Sequence, residues 1–209
     1  MNYYIADTHF NHANVIAFDN RPFKTVAEMN AALIQNWNSV VTPADHIYIL
    51  GDFHWGKAKD WPETLKQLAG NKHLIRGNHD VKAPFQPELK QYFVEVTDYK
   101  EISDGEQHIV LCHFPMPAFK NMYYGWLHFY GHVHKTTEHN IIENTFWQME
   151  SYYEFPKRAF NVGCMMPYMN YTPRTMEEIV EGGAAYGRDE RSGHEAETVP
   201  EKAAEEGEA

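Results

Sequence analysis

Five short apolar runs in this chain each break, directly or after one residue, into Asp, Asn, His or Gly, and that coincidence restricts the fold more than any other feature. The runs YYIA, HIYIL, HLI, HIVLC and WLHFY have the β-branched and aromatic content of strands. They lead into Asp7, Gly51-Asp52, Gly77-Asn78-His79, His113 and Gly131-His132. In an α/β sheet the loops beyond the carboxyl ends of strands converge on one rim, where ligands bind. Five separate segments can therefore supply one site.

Helical stretches alternate with the runs. Thr25 and Glu28 have the spacing of a capping box and predict a helix to about Asn38. Asp60-Trp61-Pro62-Glu63 predicts a second that Gly70 closes. Asp104-Gly105 reads as a hairpin turn between YFVEVTDYKEI and HIVLC, and RAFNV as a further strand. A last helix is expected from near Thr172-Pro173 to Gly182. Beyond it the chain loses its large aliphatics and fills with Gly, Ala and Glu, a composition that cannot offset the entropy of ordering. The expected organisation is one domain over 1–182 and an acidic, disordered tail over 183–209.

The polar residues at the strand ends are metal-competent. Asp7 and His9 lie two apart; if the strand geometry persists, both project to one side, a hard oxygen beside a borderline nitrogen. Asp52 adds a carboxylate able to bridge two cations. Asn78, His79 and Asp80, preceded by Arg76, crowd a single turn, and His132 and His134 repeat the two-apart spacing. Each motif alone also suits a cap, an Asx turn or a hydrogen-bonded histidine. The ordered set D-x-H, GD, GNHD, His, GHVH is much more specific.

In that set the chain resembles the calcineurin-like metallophosphoesterases, over about Tyr3 to Val180, including a closing segment, FNVGCMMPYMNYTPRTMEEI, like those of small bacterial and phage members. The resemblance implies a four-layer α/β sandwich, two mixed β-sheets flanked by helices, with two metal ions along one edge. It gives one ion Asp7, His9 and His134, the other Asn78, His113 and His132, with Asp52 between them. His79 stays outside the ligands as proton donor, with Asp80 orienting it, and Arg76 resembles the arginine that grips phosphate oxygens in the Ser/Thr phosphatases of the superfamily. The implied reaction is attack of a metal-activated hydroxide on a phosphomonoester or phosphodiester. The mixed imidazole, carboxylate and amide donors suit Mn, Fe, Zn or Ni better than Mg, and Mn is the expected ion.

Eight of the 13 histidines exceed what such a site needs. His12 and His54 stand close enough to the ligand motifs to touch substrate. The segment FPMPAFKNMYYGWLHFY, after His113, reads either as a rim that stacks on a nucleobase or as a half-buried loop.

Charge narrows the substrates. The net charge is −11, of which residues 187–209 hold −5 (eight acids, three bases), leaving −6 for the body. An acidic body argues against tracking a long nucleic acid, so a small, nucleotide-like phosphoester is expected rather than nucleic-acid end processing. A non-catalytic binding module of the same fold is the other reading, against which stand intact ligand positions and His79. No run approaches the roughly 20 apolar residues of a membrane span, and MNYYIADTHF lacks the pattern of a secretory signal, so a cytoplasmic location is expected. Cys112 and Cys164 are too few for a disulfide framework and read as small buried thiols.

Overall fold

Strand alternation divides the apolar side chains of the first sheet between two cores. A computed structural model of the protein describes residues 1–80 and 86–197, with side chains as far as 187. Strands β1 (Asn2–Ile5), β2 (His46–Ile49), β3 (Asn71–Ile75) and β4 (Phe93–Thr97) lie side by side in that order, all parallel. Ile5, Ile47, Ile49 and Leu74 point to one face, against Met29, Leu33 and Trp37 of helix α2 (Val26–Val40). Tyr4, Ala6, Tyr48, Leu50 and Ile75 point to the other, against the second sheet.

That second sheet is β5 (Tyr99–Asp104), β6 (Gln107–Cys112), β7 (Leu127–Tyr130) and β8 (Ala159–Asn161), in sequence order. The β5–β6 pair is antiparallel, joined through Gly105 at φ 58°, as Asp104-Gly105 predicts; β6, β7 and β8 are parallel. Along β7, Phe129 faces the inter-sheet core, while Tyr130 faces outward to Phe146 of helix α5 (Thr137–Tyr153). Helices α1 (Ala13–Phe18), α3 (Trp61–Leu65) and α4 (Pro87–Lys90) complete the other outer layer, whose apolar cluster includes Val15, Trp61 and Leu89. The result is the expected sandwich of two sheets between helices.

Local chemistry explains most element ends. Thr25 Oγ1 accepts the Glu28 N–H at 3.1 Å while Glu28 accepts the Lys24 N–H at 2.8 Å, so the expected cap forms. Other expectations are corrected. The first sheet is parallel rather than mixed along its strands, taking one antiparallel bridge between Tyr4 and Arg174. α3 stops at Leu65, and Gly70, at φ 88°, serves the turn into β3. Helix α5 is not among the expected elements, although Ile142, Phe146, Met149 and Tyr153 recur along it at helical spacing. Cys164 is buried, but Cys112 only partly.

The largest correction concerns the C-terminus. Helix α6 (Met176–Glu197) does not stop at Gly182, so the expected boundary falls inside a helix. The glycines there are close-packing positions: a Cβ on Gly183 would lie 2.6 Å from Phe160, and one on Gly182 2.7 Å from Tyr168. Tyr186 extends the contact, packing against Tyr168 beside the inter-sheet core. Where a disordered tail is expected from residue 183, the structure has helix as far as Glu197, and 198–209 lie outside the described residues.

Candidate metal centre and cavity

The ligand-competent side chains reach a common point by a route the strand pattern does not predict. Extended geometry does not persist after β1, because Asp7 and His9 are both left-handed, at φ 55° and 49°. Asp52 (φ 50°) and His132 (φ 71°) share that conformation, which non-glycine residues hold only when their surroundings impose it. Buried Arg21 supplies part of that constraint, donating to the carbonyls of Asp7 (2.8 Å) and Thr8 (3.0 Å). Thr8 Oγ1 donates to the Phe53 carbonyl at 2.8 Å, tying the first loop to the second. A side chain on Gly131 would place its Cβ 2.6 Å from Asp7 Oδ2, and one on Gly77 would fall on Asp52 Oδ1, so both must lack one.

Ligand atoms of Asp7, His9 and His134 lie within 4.8 Å of one another, as do those of Asp7, Asp52 and His113. Asn78 Oδ1 sits 3.0 Å from His113 Nε2 and 2.9 Å from His132 Nδ1, which brings the remaining two expected ligands to the second group. Asp52 Oδ2 is 3.7 Å from His9 Nε2 and 3.7 Å from His113 Nε2, midway between the groups.

The hydrogen bonds behind these atoms fix which nitrogen is free. His113 Nδ1 lies 2.7 Å from the Leu50 carbonyl, which can only accept, so Nδ1 carries the proton and the Nε2 lone pair faces Asn78. His134 Nδ1 donates likewise to Asp19 Oδ1 at 2.6 Å, leaving its Nε2 lone pair 3.2 Å from His9 Nε2. At Asn78 an acceptor thus faces an acceptor, an arrangement a cation between them relieves. Burial, then the neighbouring His134 and Arg21, push the His9 imidazole far below its ordinary pKa, so it stays a neutral donor. Among the described residues, the ion pairs of the Asp7 and Asp52 side chains are all with histidines, not with Lys or Arg. Burial pushes the Asp7 carboxyl up, against the lowering influence of His134 and His113. Two buried carboxylates without a fixed cationic partner fit a metal centre by charge as well as by donor type.

The sequence profile of the calcineurin-like phosphoesterase superfamily domain matches residues 2–177. This chain belongs to that superfamily. Among its relatives is the uncharacterised protein MJ1445 of Methanocaldococcus jannaschii, 36% identical over 182 residues, covering 86% of this chain and 89% of the relative. The gene 66 protein of Mycobacterium phage L5 is 28% identical over 130 residues, covering 54% of this chain and 62% of the phage protein. Among solved structures, the Aquifex aeolicus protein of unknown function AQ665 superposes with a TM-score of 0.64 at 29% identity, over 87% of this chain and 98% of that one. No helix among the described residues is long and apolar enough to cross a membrane.

Within this superfamily member a cavity of about 440 Å³ opens over the donors, lined by His9, Asp52, Asn78, His79, His132 and His134 among others. His79 is partly exposed, with Nε2 3.8 Å from Asp52 Oδ2 and its backbone N–H on Asp52 Oδ1 at 2.9 Å. Among the described residues the hydrogen bonds of Asp80 go to backbone amides and not to the His79 ring. The buried Asp80 carboxylate accepts the N–H groups of Asp52 (2.7 Å), Gly77 (2.9 Å) and Phe53 (3.1 Å), locking two ligand loops together. Burial pushes its pKa up to about 6 even against those bonds. Arg76 is likewise absent from the cavity lining, and its guanidinium meets Asp98 at 2.5 Å.

Of the two added histidines, His12 borders the cavity and His54 does not. His54 is buried beneath, with Nε2 3.0 Å from the Asn11 amide, and burial pushes its pKa down to about 4. The aromatic segment after His113 is not in the cavity lining either, but its exposed first residue, Phe114, packs edge-on against His113 and His132, while Trp126 stacks on His108 and Tyr123 packs on Tyr153. Sequence reasoning missed Asp19 and Arg21. Arg21 Nε holds Asp19 at 2.9 Å while Asp19 holds His134, a carboxylate–histidine pair of the kind that sets a ligand's tautomer. Burial alone would raise the Asp19 carboxyl; the His134 hydrogen bond and the Arg21 charge hold it below its ordinary value. The turn FDNRPF gives no sign of this in sequence.

Proposed function

We propose that the protein is a dinuclear-metal phosphoesterase hydrolysing a small phosphomonoester or phosphodiester, nucleotide-like in its non-phosphate part. The observation that carries this reading is the position of Asp52 Oδ2, equidistant at 3.7 Å from a histidine of each donor group. Asp7, His9 and His134 would hold one divalent ion, Asn78, His113 and His132 the other, and Asp52 both. The bound ions would supply charge neutralisation for the phosphoryl oxygens and a lowered pKa for the attacking water. Mn suits these donors, as do Fe, Zn and Ni.

The chain's own groups do the rest. His134 and His113 are held in the required tautomers by Asp19 and the Leu50 carbonyl. His79 lines the cavity without belonging to either group, and its ring stands ready to give a proton to the leaving oxygen. Asp80 keeps the Asp52 and Asn78 loops in register, so it acts by positioning. Arg76, paired with Asp98 and absent from the cavity lining, is given no role in gripping phosphate in this reading. The acidic body favours a small substrate over nucleic-acid ends.

Turnover of bis-(p-nitrophenyl) phosphate by the Mn-loaded chain, together with metal analysis, tests the reading. Two ions per chain and metal-dependent hydrolysis are expected. A metal-replete protein inert towards mono- and diesters would make it a binding module.

A further inference from the structure

The donors and His79 form only part of the cavity, and its volume of about 440 Å³ is that of a small-molecule site rather than of a phosphate alone. The remaining lining includes Phe18 and Trp55. Both are large aromatics left 69% and 42% exposed, and single exposed aromatics need no explanation. Here, however, two of them border the same ligand-competent space and share a bracket. The His12 ring stacks on Trp55 at 4.0 Å between centroids and 7° between planes, and Phe18 stands edge-on to His12 at 6.3 Å and 75°. One side of the indole is thus fixed in place while much of its surface still meets solvent. His12 is itself buried, and its Nδ1 has no hydrogen-bond partner among the described residues.

We infer that Trp55, Phe18 and His12 form a stacking subsite for the planar base of a nucleoside, carried on the leaving-group side of the phosphoester. This rests on the phosphoesterase reading above and names where its substrate's non-phosphate part binds. The side is set by His79, whose ring lies 5.1 Å from that of Trp55. A proton donor must face the leaving oxygen, so the departing alcohol lies next to the indole. A planar ring gains from an indole that a stacked neighbour already holds in place, because little side-chain freedom of Trp55 remains to be lost on binding. Glu138 lines the same cavity, which favours an uncharged ring over a second anionic group.

The test is titration calorimetry of the full-length chain with adenosine, guanosine, cytidine and uridine, each against ribose, which shares the sugar and lacks the base. None contains phosphate, so the result does not depend on turnover. At least one nucleoside should bind about ten-fold more tightly than ribose, the scale of one stacked base. In Trp55→Ala and Phe18→Ala that ratio should fall towards one, with Trp55→Phe keeping most of it. Phe18 is exposed enough for its variant to fold even if Trp55→Ala does not. Equal binding of ribose and all four nucleosides, or a ratio unchanged in folded Phe18→Ala and Trp55→Ala, would overturn the inference. Nucleoside preference without phosphoester turnover would instead leave the subsite standing and sink the hydrolytic reading.

Discussion

The floor and the wall of the cavity are built on opposite principles. On the floor, Asp7, His9, Asp52 and His113 are almost wholly buried, and their loops are locked by Arg21, Asp80 and Thr8. On the wall, Phe18, Trp55 and His79 are exposed and held mainly by ring contacts. A geometry that must hold cations tolerates little play, whereas a surface that must admit a substrate has to remain open. Damage to the floor should therefore abolish chemistry on every ester, and damage to the wall should change which ester is preferred.

The most severe loss is expected for Asp52→Asn, which removes the carboxylate charge standing between His9 and His113, where both proposed ions would meet it. We expect at least about 10³-fold lower kcat, more than Asn78→Ala loses, as a steady-state comparison on one diester would show. A milder loss in Asp52→Asn than in Asn78→Ala would break the distinction between a shared and an unshared ligand.

His79→Ala sits at the border of floor and wall. General acid catalysis is worth typically about 10²- to 10⁴-fold, so the variant should lose roughly that on an alkyl ester and distinctly less on a nitrophenyl ester, whose leaving group departs without a proton. Its metal content should match the wild type. Equal losses on both esters would assign His79 to phosphate binding, and lost metal would move it onto the floor.

Asp19→Asn probes the support beneath the floor. Substitution of such partners typically costs about 10- to 100-fold in metal affinity or activity, so a chelator competition should show weaker binding of one ion with the fold intact. Unchanged affinity would reduce the Asp19–His134 contact to packing. The smallest effect concerns α6, which supplies no described residue to the cavity lining: truncation after Gly182 removes the Gly183 and Tyr186 contacts and should destabilise by about 1–2 kcal/mol. For a chain of this size that lowers Tm by about 2–8 °C, and an unchanged Tm would return the helix to the status of a tail.

The floor was largely legible in the sequence and the wall was not. Strand-end placement of Asp7, Asp52, Asn78, His113 and His132 follows from short apolar runs and their punctuation, which are local signals. The left-handed backbone at Asp7 and His9 leaves no such trace, because it is imposed by Arg21 and Thr8 through contacts across loops. Trp55 and Phe18 drew no notice because exposure is a tertiary property, while of the conspicuous aromatics after His113, Phe114 packs on ligand histidines and Tyr123 and Trp126 pack elsewhere. Gly182 and Gly183 misled for a related reason: glycine ends many helices, yet here it admits Tyr168 and Phe160. Arg76 and Asp80 sit in the expected turn, and their partners, Asp98 and three backbone amides, decide what they do.

The central claim is that two ions share Asp52. Electron paramagnetic resonance of the Mn(II)-loaded chain, with metal counted on the same sample, addresses it directly. The account predicts two ions per chain with the spectrum of an exchange-coupled pair, and in Asp52→Asn the loss of that coupling with one ion weakened or gone. A single ion in the wild type, or a coupled pair that persists in Asp52→Asn, would contradict it.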